Sequence, residues 1–585
     1  ALLAAILAFA VLLPGSGQGR AANADSLETT PTEQARQKPP AAPGRGDRPE
    51  DADSLAYLGH RLRQDLLVMH SRGLFLDSLM LAEEAEKLCI RYLELRPDDG
   101  DSALDCAELL VFSADLARDA GRMPLARRFY TRAADLVEAL ENDARVFSVL
   151  GGAFGGMGEV LAARGACEEA HGHFERSLRM FRQAEALDQG RLIARIRLVF
   201  ALQSLGYSHC RLGRQEQGLA LYREALHLSR RTLAEDEYML PEVLAAVISE
   251  TAGPLGKELA LSGHGAEGMA LLREALEQAL LLNPPLPEKR DEAGRMSGER
   301  RPAKPALGPE AARESERPDG RGPPASGAMN REEYSLASLL LTRLQQLACV
   351  HRIRGEYAED PALSLKALDL TRQGLPLALR QLRLSAHSPL AGDSIWELFF
   401  LHEAILALER GGAKEERKQA EALLDVALPR ARALPRGDVD HDYLLSLFLD
   451  RLSALALERQ LPARALAAND EGLLLMLPLV AACPEEIGWG RQYARLLMSR
   501  AKVLRLLGAD AAARSCQGQA LQLLDGILER APRNFESLAL QLRIVDAAGA
   551  SAQGAGDKER ARALRVRGMA LRALALAAVS GANSP

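Results

Sequence analysis

The chain has 585 residues, enough for several compact domains or for many copies of a smaller unit. Hydrophobic residues make up 47% and aromatic residues only 4%. This excludes a wholly disordered chain and any surface of stacked rings for carbohydrate or single-stranded nucleic acid. Seventy-three basic against seventy-nine acidic side chains leave a net charge of −6, which does not suit a protein that binds nucleic acid by neutralising phosphates.

Residues 1–13 are apolar and uncharged, ended by Pro14. Thirteen residues rise about 20 Å as a helix, short of a hydrocarbon layer of roughly 30 Å. The segment reads as a signal-peptide core or as the last half of a membrane-spanning helix, and both place the chain outside the cytoplasm or at a membrane. Ala22, Asn23 and Ala24 form an Ala-x-Ala cleavage pattern. Residues 14–52, with Pro14, Pro31, Pro39, Pro40, Pro43 and Pro49, are expected to be a disordered linker. The seven cysteines (Cys89, Cys106, Cys167, Cys210, Cys349, Cys483 and Cys516) are scattered and contain no CxxC pair. They match neither a disulfide framework nor a zinc site.

From residue 53 to 283 the pattern is helical throughout: Leu, Ala, Arg and Glu dominate, apolar positions recur at three and four, and Gly punctuates. The hairpins share a register. From Gly121, offsets of 5, 9 and 12 reach Ala126, Tyr130 and Ala133; from Gly165, Ala170, Phe174 and Ser177; from Gly213, Gly218, Tyr222 and Ala225; from Gly263, Gly268, Leu272 and Ala275. Seven residues before each Gly stands Ala114, Gly158, Gly206 or Gly256. The Gly ends one helix and allows the turn. The small–large–small series then lies on one face of the next helix, where small residues let helices approach and the large one fills the gap. Residues 284–330 hold nine prolines, and nine basic residues are nearly matched by eight acids, so a second disordered linker is expected. The helical pattern resumes over 331–578, where Gly508 leads to Ala513, Gln517 and Ala520, with Ala501 seven before it. Weaker copies follow Gly73 (Ser78, Ala85), Gly355 (Asp360, Ala367) and Gly411-Gly412 (Ala420, Leu424, Ala427), and one more consists of Ala465 with Gly472.

This register resembles that of tetratricopeptide repeats. Leu202, Leu205, Gly206 and Gly213, with Gly218, Tyr222 and Ala225, form the clearest copy. The Gly-to-Gly steps of 44, 48 and 50 residues are longer than the family's usual unit, which helices of about twenty residues would absorb. The resemblance implies an all-α fold: an α-α superhelix, a TPR-like solenoid, in two arrays separated by a disordered linker.

No catalytic, metal or cofactor pattern stands out. Gly256-Lys257 is followed by Glu258 where a phosphate loop needs a hydroxyl. The glycines at 151, 152, 155, 156 and 158 precede a repeat turn and follow no strand, so they read as close helix packing. His402-Glu403 lacks a second His at zinc-helix spacing, and His171 and His173 fall on different faces. Asp98-Asp99 and Glu168-Glu169 mark helix starts.

A superhelix of this kind binds extended peptides or helices in its inner groove. By the family's register, groove positions lie six, ten and thirteen residues before each turn Gly. The binding residues expected there are Glu108, Asp115, Glu159, Gln203, Tyr207, Glu250, Lys257, Arg495 and Lys502, with Val111, Phe200 and Met498 alongside: an acidic bias early and a basic one late. The expected function is a non-enzymatic scaffold for protein or peptide partners, without nucleic acid, exported or membrane-tethered on the periplasmic side of a bacterium. The alternative is the extracytoplasmic part of a receptor-type serine/threonine kinase.

Overall fold

The computed structural model describes residues 75–282, 331–385 and 395–580, apart from 97, 142, 189–191, 236–240 and 359–360, together with 59, 61, 62, 64 and 66 upstream. The expected leader or spanning segment at 1–13 and the two linkers, 14–52 and 284–330, lie outside the described residues. Within them are nineteen helices and no strand: α1 (Phe75–Leu95), α2 (Gly100–Asp119), α3 (Met123–Val137), α4 (Ala144–Ala162), α5 (Cys167–Leu187), α6 (Leu192–Arg211), α7 (Gln215–Glu235), α8 (Pro241–Leu261), α9 (Gly265–Leu282), α10 (Arg331–Ala358), α11 (Pro361–Ser385), α12 (Ile395–Gly411), α13 (Lys414–Ala433), α14 (Val439–Glu458), α15 (Pro462–Ala482), α16 (Ile487–Leu506), α17 (Asp510–Arg530), α18 (Phe535–Gly554) and α19 (Lys558–Ser580). From α2 onward they pack as hairpins, each even-numbered helix with the next. Successive first helices also touch one another, which puts them on the concave side, while the second helices fan out on the convex side.

The hairpin turns are built alike. Gly121, Gly165, Gly213, Gly263, Gly412, Gly508 and Gly556 all have φ between 71° and 97°, a conformation that costs a side chain about 1–2 kcal/mol. In the turn after α14 the same place is held by Gln460, at φ 58°. The residue after the left-handed one donates its N–H five back, closing a Schellman turn: Arg122 to the Ala117 carbonyl (2.7 Å), Arg214 to His209 (2.9 Å), Leu461 to Ala456 (2.8 Å), Ala509 to Leu504 (2.8 Å) and Asp557 to Ala552 (3.0 Å). Several first helices instead start from a side-chain cap, supplied by Asp99, Asp143, Asp438, Glu486 and Asn534. One expected turn is corrected: α10 runs through Gly355 to Ala358, so the turn of that hairpin follows the Gly.

Small residues seven before and five after a turn meet face to face. A Cβ on Gly256 would stand 2.8 Å from the Gly268 carbonyl oxygen and 2.9 Å from the Leu272 nitrogen, and one on Gly206 would stand 3.1 Å from the Gly218 oxygen. The large residue between the small pair is buried in each case: Tyr130, Phe174, Tyr222 and Leu272 are 0%, 6%, 2% and 0% exposed. Burial of a ring or Leu contributes about 2–3 kcal/mol. The glycine run of α4 serves the same packing, since Gly151 lies against Phe181, Gly156 against Tyr130 and Gly158 against Phe174.

The chain continues as one superhelix across the junction of the two arrays. α10 packs on both α8 and α9. There Arg343, 1% exposed, donates to Ser249 Oγ (3.2 Å), Gln346 (2.7 Å) and Glu250 (2.9 Å), and Arg354 donates to the Gly265 carbonyl (3.2 Å). Later hairpins then return to earlier ones. The Val439 N–H donates to the Ala163 carbonyl (3.1 Å), Leu212 joins the apolar cluster of Ile487 and Trp489, and Phe535 packs with Ala260 and Leu261. The turns after α4, α6 and α8 therefore abut the junctions before α14, α16 and α18, closing the gap between coils with an axial seam.

Candidate functional site: the inner face

The first helices carry the expected groove residues, and the structure places them in four settings. Asp115 and Glu159 come together around Arg118, whose Nη1 lies 3.2 Å from Asp115 and 2.5 Å from Glu159. The Tyr130 hydroxyl donates to Asp115 (2.5 Å). Burial raises both carboxyls, opposed by the Arg118 charge. Glu108 stands apart and accepts two bonds from Arg145 of the next hairpin, both 3.1 Å.

Gln203 and Glu250 bridge hairpins. Gln203 donates to Thr251 (2.5 Å), and Glu250 takes the buried Arg343. Both side chains are committed to packing between neighbours.

Tyr207 and Lys257 lie near the seam. Tyr207 is 52% exposed, and the Arg211 guanidinium sits over its ring at 5.3 Å. Burial works against the Lys257 charge, but the Cys349 thiol and the carboxylates of Glu536 and Glu258 outweigh it and raise the ammonium.

In the later hairpins, Arg495 rests on Gln492 Oε1 (3.3 Å), and burial together with Arg543, Arg451 and Arg491 lowers its pKa despite the nearby Asp450. Lys502 is exposed and apart from this group. Of the companions, Val111 and Phe200 are half-buried and Met498 is buried in the core at 6% exposure.

Sequence reasoning missed two sets of residues. One is the seam: Arg211 Nε donates to Glu486 Oε1 (3.0 Å), and its guanidinium lies 4.9 Å from the Trp489 ring. No local pattern marks partners so far apart in the chain. The other is Trp396, Phe399 and Tyr443 on α12 and α14, with ring centroids 6.2 Å and 6.4 Å apart in succession. Applying the thirteen-before rule to Gly412 would have found Phe399.

Several other polar residues are engaged in packing between helices. His402 stacks edge-on to Phe448 (5.8 Å), Glu403 takes Arg352 (2.5 Å), and His171 pairs with Ser208 (3.0 Å). Among the described residues no three His, Cys, Asp or Glu side chains gather as metal ligands. One described helix, α15, is long and apolar enough to cross a membrane, and it packs between α14 and α16.

No protein-family model matches the chain, and no curated protein does. Among solved structures it is similar to a Rap protein complexed with Competence and Sporulation Factor (9% identity, TM-score 0.40, 82% of this chain and 100% of that one). It is also similar to a monomeric IFIT1 mutant with Gppp-AAAA (13%, TM-score 0.32, 80% and 90%). A third is a circular tandem repeat protein (14%, TM-score 0.24, 83% and 98%).

Proposed function

We propose that this protein is a non-enzymatic helical-repeat scaffold that binds an extended segment of a partner protein along the inner face of its superhelix. The observation that carries the reading is Tyr207, an aromatic side chain left 52% exposed on the concave side of an otherwise well-packed solenoid. A half-exposed ring beside a guanidinium offers apolar area and polar edges at low entropy cost. Asp115 and Glu159, joined through Arg118, supply polar groups farther along the same face. The nine groove residues are read as the lining, with Tyr207, Lys257 and Arg495 nearest the bound chain and Gln203 and Glu250 shaping the wall.

A photo-crosslinking amino acid at position 207, with the outer-face position Leu474 as control, tests the reading. Partners should be trapped at 207 and not at 474. Trapping only at the outer position would sink it.

The apolar segment at residues 1–13 supports a chain exported or tethered on the periplasmic side of a bacterium, either as a free-standing scaffold or as the outer part of a receptor-type serine/threonine kinase. Reading frames upstream of residue 1 separate the two: a short basic leader supports the scaffold, and a kinase catalytic loop the receptor.

A further inference from the structure

The inner face of α12, α14 and α16 carries an aromatic strip beside a guanidinium that makes no ion pair of its own among the described residues, its neighbouring Asp450 being held by Arg451 and Ser499. The strip runs from Trp396, 53% exposed, through Phe399 to Tyr443, both half-buried. Tyr443 feels the charges of Arg491 and Arg495 from the next hairpin. The carboxylates of this region are already engaged. Asp450 accepts from Arg451 (2.5 Å) and Ser499 (2.6 Å), Glu536 pairs with Arg491 (2.5 Å), and Glu403 takes Arg352. Arg495 makes no ion pair among the described residues. It is nonetheless positioned: Gln492, 1% exposed, holds it through Oε1 and is itself fixed by donating to the Ser446 carbonyl (3.2 Å).

A guanidinium crowded by other guanidiniums, steered by a buried amide and beside a carboxylate already engaged elsewhere is arranged to take an anion from outside. Holding it in place beforehand lowers the entropy lost on binding. The aromatic strip adjoining it favours an apolar side chain in the same ligand.

We infer that Arg495, with Phe399 and Tyr443, forms a subsite for an acidic side chain and a neighbouring large apolar side chain of the bound polypeptide segment. Arg495 pairs with the carboxylate, and the apolar side chain lies along the two rings. The inference rests on the peptide-binding reading above and specifies its ligand.

The test uses the full chain, immobilised and offered a random heptapeptide display library. Retained sequences should be enriched in Asp or Glu one or two positions from Phe, Trp, Tyr or Leu. An R495Q chain, shown by thermal melting to fold like the parent, should keep the apolar enrichment and lose the acidic one. For the best peptide, R495Q and a Glu-to-Gln change in the peptide should each weaken binding about tenfold, and combining them should cost little more, the signature of a direct pair. Retained peptides with no acidic preference, or equal binding by R495Q, would show Arg495 to be simply solvated. That overturns the subsite and leaves the peptide-binding reading standing. A library with no retained sequence, together with no crosslinking at position 207, overturns both.

Discussion

Arg211 and Glu486 stand 275 residues apart in the chain and 3.0 Å apart in space. The Glu486 carboxylate, 4% exposed, also caps α16 by accepting the Trp489 N–H, and the Arg211 guanidinium lies between the rings of Tyr207 and Trp489. Removing one partner of so buried a pair leaves the other charge uncompensated, at a cost of about 3–5 kcal/mol. R211A should therefore lower chemical-denaturation stability by about that amount, and the double variant R211M/E486Q should lose clearly less, because it leaves no buried charge without a partner. A loss below about 1 kcal/mol for R211A would mean that the seam is open in solution.

The same seam brings together Cys167 and Cys483. Cys483 lies in the apolar cluster against which Cys167 packs. The proximity of the two thiols raises Cys167 and lowers Cys483. A bifunctional thiol-alkylating reagent should join the two in the native protein, detected as one cross-linked peptide pair by mass spectrometry and lost in C167S. Cys89 and Cys106 also face each other, each Sγ approaching the other's carbonyl at 3.8 and 3.9 Å, but neither is half-buried like Cys167, whose thiol can take the reagent first and carry its second arm to the buried Cys483, so this pair should react only after unfolding. Failure of Cys167 to cross-link under native conditions contradicts the closed superhelix.

Two substitutions of opposite sign test the repeat register. G256A drives a methyl group into the Gly268 carbonyl and the Leu272 nitrogen, backbone atoms that cannot swing away. It should destabilise by about 1–3 kcal/mol. Q460G relieves a left-handed glutamine and should stabilise by up to about 1 kcal/mol, since the strain removed is partly offset by greater freedom of the unfolded chain. Thermal melts of the two variants moving in the same direction would contradict the register.

Acid should weaken the fold before the carboxylates titrate. Burial, with Lys366, Arg273 and Arg354, pushes His351 down to about 4. Burial, with His171 and Arg214, pushes His209 to about 4. Burial, then Arg451, Arg495 and Arg352, holds His402 well below the usual imidazole range. With folded values below the unfolded value of about 6.5, the unfolded chain binds more protons, so stability is complete above that pH and falls from there towards pH 4. The raised Asp115 and Glu159 carboxyls oppose this at the acidic end by taking up protons in the folded state. For His351, 7% exposed, the loss is on the order of 1 kcal/mol per pH unit. The denaturation midpoint should drop between pH 7 and 5, and the drop should be smaller in H351Q. An unchanged slope in H351Q would show that His351 takes up its proton as readily folded as unfolded.

The composition of residues 284–330 makes them the first expected site of limited proteolysis. Because α10 packs on α8 and α9 through the buried Arg343, the two helical fragments should stay together on gel filtration after cleavage. Separation under native buffer, or first cleavage within 121–280, argues against this junction.

Local and periodic information was sufficient for the repeat. Turn glycines must adopt positive φ, and small residues at fixed offsets must face each other for helices to touch, so Gly121, Gly165, Gly213, Gly263 and Gly508 were readable from the chain alone. The weaker copies show where that signal fades. Gly355 stayed helical because nothing forces a Gly to end a helix, Gln460 hid a turn behind an ordinary side chain, and Gly556 closed a hairpin that the pattern had not marked. The groove rule placed Tyr207 and Arg495 on the concave side, but it did not distinguish Gln203 and Glu250, which are absorbed between hairpins. The seam belongs to the tertiary structure. The pitch and curvature that bring Glu486 to Arg211 and Cys483 to Cys167 accumulate from small rotations at every hairpin, and no residue encodes that sum.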